Sequence, residues 1–515
     1  MKALRAKTNG KAVLGLSGGV DSAVAALMLR RAGFEVTGVF MRCWDASADD
    51  RNATSGDPWC ASEAGALASA EAVAKSLDMP PVVRLDLTAE YFHRVFQPML
   101  TAFRDGVTPN PDAALCNPLV KFPALIAWAR RQGADVVATG HYARVAYGAD
   151  SRTPVMLRGV DRRKDQSHFL SRLTAANGSL PPSWSADHAP AASPTPPFLA
   201  FPIGHFHKEE VRRIAREEGT PAVAACAERV SSRGLCFVET TRNGAAYERR
   251  RTNAEIPRAR ESFRTFLDRQ LLDEMGAQPH DDDATVVVVH IDPPDLPQKH
   301  PPLDDDAAIS AHRAATARFA TSRVLGVLRG EAARHARTLT VGQRIPLSGL
   351  SEPIFLAGRE ALPDESQPTT IAYAVQRSEN PALYKRRVAL CKPTWLDGVG
   401  PALGASGCDV VVRFRHGKPY EGVAARISAI PGAFDAGISC EAASALGYRP
   451  CRALAALAES RFANDGIHLL LDVQYPDHMR AVAPGQVVAI YGASGDGKPG
   501  ERILGGAEVA FPCAL

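Results

Sequence analysis

The chain has 515 residues, 45% of them hydrophobic and 23% charged, which is the composition of a soluble globular protein long enough for about three domains. Its formal charge of +4 is too small to indicate a nucleic-acid partner, because such a partner requires a local basic face. No run of residues approaches the ~18 apolar residues of a membrane helix, and ten cysteines are too few for a disulfide scaffold. We therefore expect no membrane contact and a reducing compartment, where single cysteines are candidates for chemistry.

The N-terminus is basic, because Lys2, Arg5, Lys7 and Lys11 precede the first acidic residue, Asp21. No apolar segment accompanies them, which excludes a secretory signal peptide. A basic N-terminus of this kind, together with the insertions described below, favours a mitochondrial protein; the alternative location is the cytoplasm.

Short apolar runs alternate with segments of helical spacing up to residue 139. Four runs are predicted as buried strands, at 12–16, 35–41, 81–86 and 135–139. Helices are predicted between them, ending at Arg31, over 61–77, over 90–104 and, after a loop rich in Pro and Asn at 107–118, up to Arg131. Strands that alternate with helices of this length indicate a doubly wound parallel α/β sheet.

The pattern changes after residue 173. Residues 174–198 are crowded with Ala, Ser and Pro, and we predict a surface insertion without packed structure there. Residues 277–310 contain two runs of three aspartates and several prolines around one β-run at 286–289, which is typical of an acidic linker or insertion. From about residue 338 onward, short β-runs bounded by Gly and Pro predict small β-barrels.

These changes predict three domains: an α/β domain at 1–240, a central domain at 241–378 and a C-terminal β-barrel domain at 379–515. The predicted fold class is therefore α/β. An N-terminal doubly wound parallel sheet is followed by two smaller, β-rich, barrel-like domains.

A glycine-rich segment, Ser17-Gly-Gly-Val-Asp-Ser22, lies between the first predicted strand and the first predicted helix. Consecutive glycines allow a tight turn whose N–H groups can face an anion, and the helix N-terminus adds its dipole. The phosphate-binding lysine motif of Walker loops is absent. An acidic residue, Asp21, fits such an anion site if it faces a magnesium ion or a ribose. The segment predicts a phosphate-binding loop; the alternative is a Gly-Gly turn followed by helix-capping residues.

This segment resembles the PP-loop of the ATP pyrophosphatases, which cleave ATP to AMP and pyrophosphate by adenylating a carbonyl-type oxygen. Further segments, in the same chain order, resemble one family of that group, the tRNA-specific 2-thiouridylases. They are Thr108-Pro-Asn-Pro-Asp112, Leu115-Cys-Asn117, Ala138–Ala143, Lys164–Leu170, Phe201-Pro-Ile-Gly204, Gly234-Leu-Cys-Phe237, Val341–Arg344 and Val482–Gln486. The resemblance extends from about residue 12 to residue 510.

The resemblance implies an enzyme, a tRNA-uridine 2-sulfurtransferase. It would convert the wobble uridine of tRNA to 2-thiouridine by adenylation of the C2 oxygen and sulfur transfer from a cysteine persulfide. The implied cofactors are ATP and Mg²⁺. The implied partners are tRNA and a cysteine desulfurase or sulfur-relay protein as sulfur donor, and we expect a monomer.

The resemblance also implies roles for individual residues. Cys236 would carry the persulfide, Cys116 would be the nucleophile that resolves it, and Asp112 would act in acid–base chemistry or orient the substrate. The implied nucleotide contacts are Gly15, Leu16, Ser17, Gly18, Gly19, Val20, Asp21, Ser22, Met41 and Gly140. The implied tRNA contacts are Asn110, Pro111, Asp112, His141, Lys164, Asp165, Gln166, Arg415, His416 and Gln486.

The replacement of an oxygen by sulfur explains why two cysteines belong to such a site. ATP makes the oxygen a leaving group, and a persulfide on one cysteine supplies sulfur without free sulfide. A second cysteine resolves the intermediate and leaves a disulfide. Because Cys116 and Cys236 are 120 positions apart, only the fold can bring them together.

Two departures from the family pattern affect these residues. Ser231-Ser-Arg-Gly234 stands where the family has Asp-Ser-Thr-Gly, so an acidic residue is missing near Cys236. Ala113-Ala-Leu115 separates Asp112 from Cys116 by one residue more than the family has. One residue can move a side chain by up to ~3.5 Å, so Asp112 keeps its role only if the loop bulges.

The other cysteines are predicted as buried apolar side chains. They are Cys43, Cys226, Cys391, Cys408, Cys440, Cys451 and Cys513. Cys60 lies in a predicted loop, and the chain has no Cys-x-x-Cys pair, which argues against a structural zinc site. An iron–sulfur cluster on Cys116, Cys236 and a third ligand is a less favoured alternative.

Two other functions compete with this interpretation. An amidating ligase of the PP-loop group would need an ammonia source, for which the sequence carries no glutamine-amidotransferase signature. A tRNA-binding protein without catalysis would have lost Cys116, Cys236 or Asp21, and all three are present.

Overall fold

The computed structural model describes the following residues of the chain: 10–44, 58–104, 107–146, 154–181, 184, 197–228, 285–290, 323–337, 339–361, 369–378, 380, 383, 387–398, 400, 401, 403, 407–415, 419–429, 469–473, 480–492 and 500–512. Among these residues, no helix is long and apolar enough to cross a membrane.

The N-terminal part of the chain is built on a five-stranded parallel sheet. Its strands are β1 Lys11–Gly15, β2 Glu35–Arg42, β3 Val83–Asp86, β4 Val136–Thr139 and β7 Phe198–Ala200. They lie in the order β3-β2-β1-β4-β7, and every neighbouring pair is parallel. The strand order reverses direction between β1 and β4, and the crevice at the carboxyl ends of two such strands is where α/β sheets bind ligands. The predicted doubly wound sheet is confirmed.

Helices cover both faces of this sheet. They are α1 Val20–Arg31, α2 Pro58–Ser76, α3 Thr88–Tyr91, α4 Gln97–Arg104, α5 Phe122–Arg131, α6 Ser167–Leu170, α7 Lys208–Glu217 and α8 Pro221–Cys226. Two segments are π-helical: π1 Phe92–Phe96, which joins α3 to α4, and π2 Asp112–Lys121, which leads into α5. Helices α1, α2, α7 and α8 share one hydrophobic core with the sheet, and α5 contributes to a second core on the other face.

The predicted loop at 107–118 is wrong from residue 112 onward, because π2 begins at Asp112. The prolines and asparagines of this segment suggested a loop, yet Pro118 lies inside the helix. A proline removes one backbone donor, yet Cys116, Pro118 and Val120 are buried on this helix. Their burial outweighs the low helix propensity of the segment.

The predicted unpacked insertion at 174–198 is wrong where the structure describes it. Leu180 and Trp184 are each 1% exposed and belong to the second core. Residue 198 begins β7, the edge strand of the parallel sheet. Residues 182–183 and 185–196 lie outside the described residues. The composition suggested a solvated segment, but Leu180 and Trp184 are buried.

Two antiparallel strands, β5 Ala143–Ala146 and β6 Val155–Arg158, form a separate hairpin after β4. The central region contains a four-stranded sheet in the order β10-β11-β8-β9, in which only β11 and β8 are parallel. Its strands are β8 Thr285–His290, β9 Arg323–Arg329, β10 Ile354–Ala361 and β11 Thr369–Gln376. Helix α9 Gly330–Arg337 packs on this sheet through Ala333 and Ala336.

Strand β8 lies inside the segment predicted as an acidic insertion, and it is buried along its whole length. The described part of 277–310 is therefore a central strand, and the remainder lies outside the described residues. The domain boundaries at 240/241 and 378/379 stay predictions.

The C-terminal region forms a closed antiparallel barrel, as predicted. Its strands are β12 Arg387–Trp395, β13 Cys408–Arg413, β14 Val423–Ala429, β15 Leu469–Val473, β16 Val487–Gly492 and β17 Ile503–Pro512. The order is β12-β15-β14-β13-β16-β17, closed by the β12–β17 pair. The barrel contributes Tyr491 and Ile503 to the second core of the α/β domain, so the two regions share buried surface.

Candidate functional site

The glycine-rich loop lies at the carboxyl end of β1, as its sequence predicts. Ser22 Oγ accepts a hydrogen bond from the Ser17 backbone N–H (3.2 Å) and donates to the Gly19 carbonyl oxygen (3.0 Å), which ties the loop to the first turn of α1. Gly18 has φ +74°, and a Cβ there would overlap the carbonyl oxygen of Ala66 in α2. The loop is therefore closed by the helix beside it, and only glycine fits at residue 18.

The other predicted nucleotide contacts surround this loop. Leu16 and Val20 are buried on either side of it. A Cβ on Gly15 would lie 3.4 Å from Met41 Cε, and a Cβ on Gly140 would lie 2.8 Å from the Ser22 backbone nitrogen. The structure thus brings all ten predicted nucleotide residues to the ends of β1, β2 and β4, at the crevice where the strand order reverses.

Asp21 has two partners that the sequence did not indicate. Lys208 Nζ donates to Asp21 Oδ1 (2.6 Å) and Oδ2 (2.7 Å), and the Tyr142 hydroxyl donates to Oδ1 (2.7 Å). Burial lowers the pKa of Lys208, and Asp21 opposes that effect. Burial and the Asp21 charge raise the pKa of Tyr142, so its hydroxyl stays a donor. The sequence places Lys208 four residues after the Phe201–Gly204 motif, 187 positions from Asp21, and only the fold reveals the pair.

The chemistry of the loop fits a nucleotide with a magnesium ion. Mg²⁺ is commonly held by one or two carboxylates together with substrate phosphates, and Asp21 is a carboxylate at the N-terminus of α1. The described residues contain no cluster of three metal-ligating side chains. A metal at this site would therefore depend on the phosphates for most of its ligands.

His141 lies beside the loop at the end of β4. Its Nδ1 is 2.6 Å from Thr139 Oγ1, and its ring packs near Phe122 and Phe201, with ring centroids 5.7 Å and 6.1 Å away. Burial and the nearby Lys121 charge lower the pKa of His141 to about 4. The imidazole is therefore neutral near pH 7, and its predicted tRNA contact would be made by stacking or a neutral hydrogen bond.

Cys116 and Asp112 both lie on π2, where Asp112 is its first residue and is partly exposed. Cys116 is 0% exposed and packs in an apolar cluster with Tyr91, Phe96 and other side chains of α3, π1 and α4. The sequence placed Cys116 in a polar loop, and this expectation is wrong. A thiol in such a position cannot reach a base or a persulfide until the segment moves.

The segment with the extra residue between Asp112 and Cys116 is π-helical. A π-helix closes its hydrogen bonds over five residues instead of four, so it is wound more widely than an α-helix. Asp112 and Cys116, four positions apart, lie about one turn apart on it. Asn117 Nδ2 donates to the Phe169 carbonyl oxygen (3.1 Å), which ties π2 to α6.

The barrel holds the segment before π2. Asn110 Oδ1 accepts a hydrogen bond from the Val487 backbone N–H (2.7 Å), and the Thr108 backbone N–H donates to the Pro484 carbonyl oxygen (3.0 Å). Gln486 Oε1 accepts from the Ala483 backbone N–H (3.1 Å). The predicted tRNA residues Asn110 and Gln486, 376 positions apart by their numbers, therefore meet at one interface, although both side-chain oxygens have protein partners there.

The Lys164-Asp-Gln-Ser motif divides between surface and interior. Lys164 is exposed. Gln166 Oε1 accepts from the Tyr142 backbone N–H (2.9 Å), and the Gln166 backbone N–H donates to the Tyr142 carbonyl oxygen (2.9 Å). Gln166 therefore holds the residue whose hydroxyl bonds Asp21.

Asp165 is 0% exposed, and the prediction that it contacts tRNA does not fit this position. Its Oδ2 accepts from Arg158 Nε (3.0 Å) and from Arg413 of the barrel (2.5 Å), and its Oδ1 accepts from the Gly159 backbone N–H (3.0 Å). Although burial opposes ionisation, Arg413 and Arg158 hold the pKa of Asp165 below its ordinary value. The carboxylate joins the α/β domain to the barrel.

Of the remaining predicted residues, Pro111 immediately precedes π2 and is partly exposed. Arg415 is exposed beside the barrel and donates to the Arg480 carbonyl oxygen. Cys236 and His416 lie outside the described residues. The cysteines Cys43, Cys226 and Cys391 are buried, as predicted, and Cys408 is partly buried. Cys60 lies in α2, not in the predicted loop.

Comparison with known proteins gives matches that include the motifs described above. Residues 10–179 match the family described as tRNA methyl transferase HUP domain. The tRNA-specific 2-thiouridylase MnmA of Nitrosomonas europaea is 32% identical over 397 residues, which cover 76% of this chain and 81% of that protein. The tRNA-specific 2-thiouridylase MnmA of Acidovorax sp. (strain JS42) is 29% identical over 506 residues, 97% of this chain and 98% of that protein.

A third relative is more similar over a shorter stretch. The tRNA-specific 2-thiouridylase MnmA of Lactococcus lactis subsp. cremoris (strain MG1363) is 39% identical over 228 residues, 44% of this chain and 52% of that protein. The matches to the first two relatives, by contrast, extend over most of both chains. Together with the parallel sheet, its phosphate loop and the barrel, these matches establish that the chain belongs to the tRNA-specific 2-thiouridylase family.

Proposed function

We propose that this chain is an ATP-dependent tRNA-uridine 2-sulfurtransferase that converts the wobble uridine of tRNA to 2-thiouridine. One observation supports this above the others: the phosphate loop and the cysteine-bearing helix are bonded to the same short segment. Gln166 of that segment holds Tyr142, the partner of Asp21, and Phe169 accepts from Asn117, which neighbours Cys116. A nucleotide at the loop and a base near π2 would thus act at one site.

The first half of the reaction is the adenylation of the base. The C2 oxygen of uracil attacks the α-phosphorus of ATP and pyrophosphate leaves. The N–H groups of residues 17–19 and the N-terminus of α1 would stabilise the phosphate charge, and Asp21 would hold the magnesium ion. The neutral His141 beside this loop would contact the tRNA.

The second half is the sulfur transfer. The terminal sulfur of a persulfide on Cys236 attacks C2, and AMP leaves with the former C2 oxygen. The Cys116 thiolate then attacks the Cys236 sulfur, so the sulfur stays on the base, a Cys116–Cys236 disulfide forms and an external thiol reduces it. Asp112, one turn from Cys116, would orient the base or exchange its proton.

The partners follow from this chemistry. A cysteine desulfurase or a sulfur-relay protein would load Cys236, and the exposed Lys164 and Arg415 would meet the tRNA backbone. We propose that the enzyme acts as a monomer and, because of its basic N-terminus, in the mitochondrion.

Two alternatives make different predictions about the sulfur step. An amidating ligase would form an amidated product from ammonium ions and would not need Cys116. A tRNA-binding homologue without catalysis would bind tRNA but release no pyrophosphate from ATP. The presence of Cys116 favours the sulfurtransferase over the ligase, and the assembled phosphate loop favours it over a homologue without catalysis.

The test is mass spectrometry of tRNA nucleosides. Depletion of the protein from its cells should remove 2-thiouridine derivatives, and the purified chain with ATP, tRNA, cysteine and a cysteine desulfurase should restore them. An ATP analogue with a non-cleavable bond between the α- and β-phosphates should not support the reaction. Undiminished 2-thiouridine after depletion, or product formation with the analogue, would contradict the proposal.

A further inference from the structure

Lys208 is a nearly buried cation next to the phosphate loop. It is 8% exposed, and its ammonium group contacts both oxygens of Asp21 at 2.6 and 2.7 Å. Its backbone N–H donates to Asp161 Oδ2 (3.0 Å), so the main chain at this residue is fixed while the flexible side chain points to the loop.

Two further cations and two helix N-termini surround Lys208, opposite the carboxylates of Asp21 and Asp161. Lys208 is the first residue of α7, and Asp21 lies in the first turn of α1, so the positive ends of two helix dipoles meet here. The charges of Arg212 and Lys164 act in the same direction and, with burial, lower the pKa of Lys208. A buried lysine at such a place is costly unless an anion accompanies it.

Asp21 alone is a poor explanation for this arrangement. Its side chain is 31% exposed, and the Tyr142 hydroxyl already donates to one of its oxygens. A carboxylate so exposed would be solvated without Lys208, whereas two helix N-termini and a lysine provide a site for a group with several negative charges.

We propose that Lys208 is a phosphate-binding residue of the nucleotide site: its ammonium group contacts the polyphosphate of ATP and thereby releases the Asp21 carboxylate for the metal ion. This inference rests on the proposed function, because it requires ATP as a substrate. Lys208, the first residue of α7, would then be the phosphate-binding cation that Walker loops carry in their own sequence and that this loop lacks. Tyr142 keeps Asp21 in place when Lys208 moves to the phosphates.

The test is isothermal titration calorimetry of the full chain with ATP in the presence of Mg²⁺ and, separately, with adenosine. Lys208→Met removes the charge and keeps most of the side-chain volume. Because a hydrogen bond between charged groups contributes more than a neutral one, this variant should bind ATP about 10- to 100-fold more weakly. Its affinity for adenosine should be unchanged. The matched control is Lys75→Met, at an exposed lysine near the end of α2, which should bind both as the wild type does.

A double-variant series separates contact with phosphate from support of Asp21. In an Asp21→Asn background, Lys208→Met should still weaken ATP binding about tenfold or more. If Lys208 only orients Asp21, the second substitution will have no effect in that background, and the proposal is overturned. Lys208→Gln is measured alongside, with thermal unfolding of every variant, so that a folding defect in one variant does not decide the result.

The outcome also distinguishes this inference from the proposed function. If the wild type binds ATP and both Lys208 variants bind it equally well, the inference is wrong and the proposed function stands. If the wild type does not bind ATP, both are wrong.

Discussion

The phosphate loop at residues 17–22 and π2, the helix that carries Cys116, both contain family motifs and lie in the same domain. They differ in whether the side chains proposed to react are accessible. The loop is assembled: Ser22 bonds Ser17 and Gly19, and Asp21 faces the crevice with 31% of its side chain exposed. Cys116 is 0% exposed within an apolar cluster. In the proposed mechanism, the nucleotide half of the site would therefore be preformed, whereas the sulfur half would have to open before it could react.

The contacts of π2 indicate where such an opening would act. The helix is held at one end by the barrel, through Asn110 and Val487, and in its middle by α6, through Asn117 and Phe169. Single hydrogen bonds of this kind contribute about 1 kcal/mol each, which is small enough for tRNA binding to replace them. In the proposed mechanism, displacement of these contacts by tRNA would be one step toward exposing Cys116, whose apolar cluster would also have to open.

The largest loss of stability is expected from a substitution where the α/β domain meets the barrel. Asp165→Ala removes the buried carboxylate that pairs with Arg158 and Arg413, each with a side chain 1% exposed. Arg158 keeps a second pair with the exposed Glu421 (3.6 Å). The substitution should lower the free energy of unfolding by about 3–5 kcal/mol. The control Asp409→Ala removes a pair with Arg426 in which both side chains are 54% exposed, and should cost less than about 1 kcal/mol. Denaturant titration followed by circular dichroism measures both, and equal losses would show that Asp165 does not hold the junction.

A second prediction concerns the preformed loop. Gly18→Ala should lower the free energy of unfolding by about 2–4 kcal/mol, because of its positive φ and the overlap with Ala66. Gly19 has φ −92° and ψ 162°, and its added Cβ would meet only Ser17 Oγ at 3.7 Å. Gly19→Ala should therefore cost about 1 kcal/mol or less. Thermal unfolding compares the two variants; a larger loss at Gly19 would mean that the loop is not closed by α2.

The smallest effect is a pH dependence. The folded protein protonates His141 with a pKa of about 4, while the unfolded chain does so near 6.5. The unfolded state therefore binds more protons as pH falls through this window, and stability is lost, by about 2 kcal/mol between pH 7 and pH 5.

His141→Asn should remove the part of this pH dependence of stability that His141 causes. Burial and Arg144 also lower the pKa of His205, but its contribution is the same in both proteins and cancels in the comparison. Unfolding free energies at pH 7, 6 and 5 provide the measurement. An unchanged slope in the variant would mean that His141 is not shielded in the folded protein.

The sequence predicted the loop and the first four strands of the parallel sheet because their signals are local. A short apolar run followed by Ser17-Gly-Gly-Val-Asp-Ser22 specifies a strand, a turn and a helix without information from elsewhere. The pairing of Asp21 with Lys208 could not be predicted this way, since it joins α1 to α7 across the crevice. Lys208 begins α7 near a motif already noted, but nothing in its neighbours indicates where its side chain points.

The loop prediction for the segment that forms π2 is wrong for a different reason. Pro111, Pro118 and Asn117 have low helix propensity, so the segment that contains Cys116 was predicted as a polar loop. Burial of Cys116 and Val120 against π1 and α4 stabilises a helix that the local sequence disfavours. The same tertiary effect placed Asp165 in the interior, where its charge is compensated by arginines from β6 and β13.

The most direct test of separate nucleotide and sulfur halves is to measure pyrophosphate release and 2-thiouridine formation in a Cys116→Ala enzyme. With ATP, tRNA, cysteine and a cysteine desulfurase, pyrophosphate release over a single turnover should continue, while 2-thiouridine in the tRNA should fall to background. Cys226→Ser, at a buried cysteine outside π2, should retain both. Formation of 2-thiouridine by Cys116→Ala at the wild-type rate, or loss of pyrophosphate release together with thiolation, would contradict the account.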